Sequence, residues 1–70
     1  MTTAPRIHRI GSRSVLVDLP DLHTVMAWHA ELTRAPLPGQ IDVIAAARTL
    51  LVSTGSPRAA RRAAETLGSF

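Results

Sequence analysis

The chain has no cysteine and no lysine among its 70 residues, and its only aromatic side chains are Trp28 and Phe70. Without cysteine it can form no disulfide bond, no thiolate nucleophile and no zinc site of the cysteine type. Without lysine it has neither a Walker phosphate-binding loop nor a Schiff base to a carbonyl substrate or to pyridoxal phosphate. These absences exclude several large classes of enzyme, and we expect a cytoplasmic protein that uses no cofactor.

Long apolar runs are also missing, because no stretch approaches the roughly 20 residues that cross a bilayer. Met1-Thr2-Thr3-Ala4-Pro5 is followed by arginines and not by the apolar core of a secretion signal. The formal net charge is +3, from eight arginines and five acidic residues. We expect residues 1–70 to form a single small domain with a thin core, since a chain of this length buries only about 60% of its unfolded surface.

The alternation and spacing of apolar residues predict six elements of secondary structure. Asp21 and Ser56 are typical helix N-caps, Pro57 suits a first helical position, and Gly68 is typical of a C-cap. The predicted elements are strands over 6–10 and 15–19, a helix over 22–35, strands over 41–45 and 49–53, and a helix from 57 to about 68. The order ββαββα predicts an α+β, two-layer sandwich, with a four-stranded, mainly antiparallel sheet and two helices on one face.

Helical spacing also predicts which side of each helix meets the sheet. The first helix presents an apolar stripe with Trp28 at one edge; its other members are Leu22, Val25, Met26 and Leu32. The second presents mostly small residues, namely Ala59, Ala60, Ala63, Ala64 and Leu67. The opposite side of the second helix carries Arg58, Arg61, Arg62 and Glu65, which we interpret as a solvated face.

The side chains that could carry chemistry are scattered over the predicted elements. His29 lies about 240° around the helix from His23 at 3.6 residues per turn, and His8 is on another element, so we expect no metal site. The carboxylates form no obvious acid and base pair, and the serines lack a Gly-x-Ser-x-Gly nucleophile motif. We therefore expect no catalytic, cofactor-binding or metal-binding residue. Nucleic-acid binding by the arginine face is also not expected, because few aromatic rings are available for stacking.

Two ordered segments carry a resemblance to a known family. They are Gly11-Ser12-Arg13-Ser14-Val15-Leu16-Val17-Asp18-Leu19 and Leu37-Pro38-Gly39-Gln40-Ile41-Asp42-Val43-Ile44-Ala45-Ala46-Ala47-Arg48-Thr49-Leu50-Leu51-Val52. Both resemble the N-terminal domain of the family of B-type 5-oxoprolinase subunits, also named allophanate hydrolase subunit 1 or KipI-like kinase inhibitor, of the carboxyltransferase C and D type.

The resemblance implies that a domain of this kind precedes a cyclophilin-like β-barrel domain, which we expect to be absent from this chain. It also implies that the partner is a second carboxyltransferase-type subunit, in a complex for ATP-dependent hydrolysis of 5-oxoproline. The chain would then be an accessory or assembly domain and not catalytic by itself. The alternative is a free-standing regulatory module that inhibits a histidine kinase. In either case the residues expected to contact a partner are Trp28, Arg13 and Arg48, and no membrane is involved.

Overall fold

The computed structural model describes residues 5–70, which form the six elements in the order ββαββα. The strands pair in the order β1-β2-β4-β3, and every neighbouring pair is antiparallel. The α+β sandwich predicted from sequence is confirmed. The bounds are β1 (Arg6–Ile10), β2 (Ser14–Asp18), α1 (Leu22–Arg34), β3 (Gln40–Ala45), β4 (Thr49–Thr54) and α2 (Pro57–Gly68).

Three strands differ by one residue from the predicted ranges, because sheet pairing and not side-chain type sets where a ladder ends. No helix in residues 5–70 is long and apolar enough to cross a membrane. The interpretation that Met1-Thr2-Thr3-Ala4-Pro5 is no secretion signal concerns a segment that lies almost entirely outside the described residues.

The core is built from alternate side chains of the two central strands, β2 and β4. Successive residues of a strand point to opposite faces of a sheet, and one set of these positions is buried under the helices. Helix α2 lies over β1, β2 and β4, whereas α1 lies over β3 and β4, so both helices cover the same face. The buried side chains are Val15 and Val17 of β2 with Leu19 just after it, and Leu50, Val52 and Thr54 of β4.

Thr54 is the one buried polar residue in the described part of the core. Its hydroxyl oxygen lies 2.7 Å from the carbonyl oxygen of Arg13 and 2.9 Å from that of Ser56. Because a buried hydroxyl without a partner is costly, these contacts let threonine stand at a core position. They also join the β1–β2 loop to the start of α2.

Both helices begin as the sequence predicts. The Asp21 carboxylate accepts a hydrogen bond from the Thr24 amide at 2.8 Å, and the Ser56 hydroxyl accepts one from the Ala59 amide at 3.1 Å. The predicted C-cap at Gly68 is wrong, because α2 continues through Gly68 and its cap is Ser69. The Ser69 amide reaches the Thr66 carbonyl at 3.1 Å without a left-handed residue, so the helix end does not require glycine.

The apolar stripe of α1 is narrower than predicted. Val25 and Leu32 are buried, but Leu22 and Met26 are 55% and 50% exposed. At 3.6 residues per turn, Leu22 and Met26 point roughly 70° to 110° away from the direction of Val25 and Leu32. Since α1 lies over the edge of the sheet, nothing in the described chain covers this flank, and the prediction that these two residues are buried is wrong.

Two glycines have left-handed backbone conformations, with φ of 62° at Gly11 and 79° at Gly39. A Cβ atom at Gly11 would meet nothing within 4 Å, whereas one at Gly39 would lie 2.6 Å from the Ala59 Cβ atom. Gly39 therefore fixes both a turn and a close approach between the α1–β3 connection and α2.

The glycines give a graded series of expected stabilities. Gly11→Ala should cost about 1 kcal/mol, which is the strain of left-handed backbone alone. Gly39→Ala adds a steric clash to the same strain, and we expect a loss of more than about 2 kcal/mol. Gly68 lies in the last turn of α2, and a Cβ atom there would meet nothing within 4 Å. Gly68→Ala should therefore leave the stability of the fold unchanged or raise it by up to about 1 kcal/mol. Urea unfolding of the three variants measures the series, and equal losses at Gly11 and Gly39 would contradict it.

The Asp21 cap predicts a dependence of stability on pH. The hydrogen bond from the Thr24 amide holds the pKa of the Asp21 carboxyl below its ordinary value of 3.8. The charged carboxylate should therefore contribute its full stability above pH 3.8. This contribution should disappear as the pH falls through the pKa of Asp21 in the folded protein, which lies below 3.8. Urea midpoints of the wild type should approach those of Asp21→Ala in this acid range. Asp21→Asn, a cap that does not titrate, is the control, and its advantage over Asp21→Ala should not depend on pH.

Candidate interaction surfaces

The face of the sheet opposite the helices carries a row of apolar side chains. Strand register places Leu16, Leu51 and Ile44 side by side, with His8 of β1 next to Leu16. Leu16 and Leu51 are half-buried by their neighbours, and Ile44 is 51% exposed. No helix of the described chain covers this surface, which we call the open face.

Polar pairs border the apolar row on both sides. On one side, Ser14 and Ser53 are cross-strand partners whose hydroxyl oxygens lie 3.5 Å apart. On the other, Asp18 stands opposite Thr49, and its carboxylate lies 3.0 Å from the His8 ring nitrogen. An apolar centre with a polar border is typical of a protein interface.

The edges of the sheet are better protected than the open face. In an antiparallel pair, every second residue of an edge strand points its backbone amide and carbonyl groups away from the partner strand. Because the Ala46 amide donates to the Thr49 carbonyl on β4, the Val43 amide, three residues earlier, is one of the groups that point away from β4. The Asp42 carboxylate accepts that amide at 2.9 Å. Along β1, the other edge, Arg6 and Arg9 carry charge. Both devices discourage pairing with a further strand, so contact with a partner is favoured on the face and not along the edges.

Trp28 lies at the border of the core, as its position on the helical stripe predicts. It is half-buried, packs against the core, and its ring centroid lies 4.6 Å from that of Phe70 at an interplanar angle of 56°. Phe70 is 49% exposed. A tilted aromatic pair of this kind is worth about 0.5–1.5 kcal/mol beyond the area it buries. The structural role of Trp28 is thus clear, and its role as a partner contact stays a prediction.

The structure does not bring Arg13 and Arg48 together. The Arg13 carbonyl accepts the Thr54 amide at 2.8 Å at one end of β4, and the Arg48 carbonyl accepts the Leu19 amide at 2.9 Å beside the other end. Six residues of extended chain separate the two positions along β4, which corresponds to about 20 Å. Both side chains are exposed. They stand at opposite ends of the central strands and cannot belong to one small site.

A cleft that the sequence did not predict lies between α2 and the connection from α1 to β3. It consists of two adjoining cavities of about 280 and 240 Å³, which share Pro38 and Arg62. We call it the helix cleft; the first cavity is completed by Leu37, Ala63, Glu65 and Thr66, and the second by Ser56, Arg58 and Ala59. The signal in the sequence was the run of alanines in α2, which leaves space beside the helix.

The titratable side chains of the described residues do not converge on a reaction centre. No three histidine or acidic side chains in residues 5–70 are placed to hold a metal ion. In the same part of the chain the Asp18 carboxylate contacts the His8 ring and Glu31 pairs with Arg34, both on the surface. Hydrogen bonding to Arg34 lowers the pKa of the Glu31 carboxyl.

Comparison with protein families gives a match that spans nearly the whole chain. The family described as carboxyltransferase domain, subdomain C and D, matches residues 5–69. The matched range includes both segments that carry the resemblance noted in the sequence. No curated protein matches the chain.

The aromatic pair makes a prediction that fluorescence can test, because Trp28 is the only tryptophan. Phe70→Ala should expose the indole ring, shift its emission to longer wavelength, and lower stability by about 1 kcal/mol. Phe70→Leu, which keeps apolar contact without the ring, should shift the emission less. An unchanged emission maximum in Phe70→Ala would show that the two rings do not pack together in solution.

Proposed function

Because the chain belongs to the carboxyltransferase subdomain C and D family, we propose that it is an accessory and assembly domain of a protein like the B-type 5-oxoprolinase subunits, also named allophanate hydrolase subunit 1. In this role it contributes to a complex for ATP-dependent hydrolysis of 5-oxoproline and performs no chemistry itself. The proposed partner is a second carboxyltransferase-type subunit. In this proposal the domain acts in the cytoplasm and needs no cofactor.

The observation that carries the proposal is the open face. A two-layer domain buries only one side of its sheet, and here the other side has Leu16, Leu51 and Ile44 in one row. Contiguous apolar surface on a small domain is typical of a binding site. Covering these side chains would gain about 25 cal/mol for each Å² of apolar surface removed from water.

The position of the two arginines agrees with a partner on the open face. Arg13 and Arg48 stand at opposite ends of the central strands, about 20 Å apart by strand length. A standard interface of about 800 Å² on each partner is wide enough to include both. A single partner could therefore pack on the apolar row and still form ion pairs with Arg13 and Arg48 at its rim.

A matched pair of charge substitutions tests this proposal. Ile44 on the open face and Met26 on the flank of α1 are 51% and 50% exposed, so lysine costs similar folding energy at either position. Ile44→Lys should weaken the complex with the second subunit at least about tenfold, because it places a charge in the apolar row of the interface. Met26→Lys should leave the affinity within about twofold. Titration calorimetry with the co-expressed subunit provides the measurement, and equal effects of the two variants would contradict the proposal.

The partly buried Trp28 beside the half-exposed Phe70 favours testing the kinase-inhibitor alternative in parallel. If the chain inhibits autophosphorylation of a histidine kinase at equal concentration, and Trp28→Ala removes the effect without unfolding the domain, the alternative replaces the assembly role. If the kinase is unaffected while the chain binds the second subunit, the assembly role stands.

A further inference from the structure

The helix cleft shares no residue with the open face and has a different chemical character. One of its cavities is lined by Pro38, Ser56, Arg58, Ala59 and Arg62, and contains no acidic side chain. The other has Leu37, Pro38 and Ala63 on its walls, together with the polar side chains of Arg62, Glu65 and Thr66. A positively charged cavity thus adjoins one with more apolar walls.

The charge of the first cavity is not neutralised within the described chain. Arg58 and Arg62 are four residues apart on α2 and both are exposed. Neither forms an ion pair or a side-chain hydrogen bond within residues 5–70, and Glu65 does not reach Arg62 as an ion-pair partner. Two guanidinium groups beside one depression are complementary to a carboxylate, which can accept hydrogen bonds from both.

The size and spacing of the cavities indicate what kind of ligand fits. Each cavity is smaller than the roughly 300–1,000 Å³ of a typical small-molecule pocket, so each suits one side chain of a larger ligand. Ala59 and Ala63, which line the two cavities, are one helical turn apart, or about 6 Å. In an extended peptide, side chains at positions i and i+2 lie about 6.6 Å apart on the same side.

We propose that the helix cleft binds an extended segment of a partner protein in which an acidic residue and an aliphatic residue lie two positions apart. The carboxylate binds between Arg58 and Arg62, and the aliphatic side chain packs on Leu37 and Pro38. The inference rests on the proposed assembly function, because the cleft supplies a second contact for a partner, on a surface that shares no residue with the open face. A protein segment fits better than a nucleic acid, since the cleft has no aromatic platform and Glu65 would repel a continuous row of phosphates.

The test uses fluorescein-labelled peptides of glycine and serine that contain one glutamate and one leucine two positions apart, in either order. Binding to the 70-residue chain is followed by fluorescence anisotropy. Replacing the glutamate by glutamine should weaken binding about fivefold, and replacing the leucine by serine should weaken it to a similar extent. Arg58→Gln should reproduce the loss of the glutamate, and the two changes together should cost little more than either one alone.

Arg61→Gln is the matched control, because Arg61 lies on the same helix but does not line the cleft. It should change the peptide affinity less than twofold, and circular dichroism should confirm that both variants are folded. Equal losses in Arg58→Gln and Arg61→Gln would overturn the inference, as would the absence of binding at millimolar peptide or tighter binding of single-stranded DNA at the same site. If the peptides fail while Ile44→Lys still disrupts the subunit complex, the cleft proposal fails and the assembly function stands.

Discussion

The fold depends on one-sided burial of its two central strands. Val15 and Val17 of β2 and Leu50 and Val52 of β4 are fully buried beneath the helices. Each such side chain contributes about 1.5–3 kcal/mol when removed from water, which matters greatly in a domain with so few core residues. Both helices must lie on this face to cover it. The opposite face then keeps its leucines without a second layer, so the same constraint that stabilises the domain also creates its apolar surface.

The alanine-rich helix has two opposite effects on packing. Ala60 and Ala63 allow α2 to lie close to the sheet, and Gly39 allows the α1–β3 connection to approach Ala59 without a clash. Small side chains, however, bury little apolar area and fill little of the space beside the helix. The helix cleft is the space that remains. Close packing at one contact and an unfilled depression next to it therefore have the same origin.

The surfaces differ in how far the chain itself protects them. Asp42 accepts the outward amide of β3, and arginines line β1, so the edges are unsuited to further strand pairing. The open face has no comparable device at its centre. The two arginines of the helix cleft likewise lack acidic partners within the described residues. A partner protein that packs on the open face and reaches the cleft with an acidic segment would complete both surfaces.

The sequence by itself determined the six elements, the caps at Asp21 and Ser56, and the family, because these follow from local spacing, turn residues and contiguous motifs. Its predictions at Leu22, Met26 and Gly68 were wrong, since the width of the sheet under α1 and the hydrogen bonds available at the end of α2 are not local properties. The pairing of Leu16, Leu51 and Ile44 into one row, the separation of Arg13 from Arg48, and the cleft beside Arg58 and Arg62 were decided only by the tertiary structure. Strand order and helix placement bring together residues that are far apart in the chain. The periodicity within a single element does not encode that order or placement.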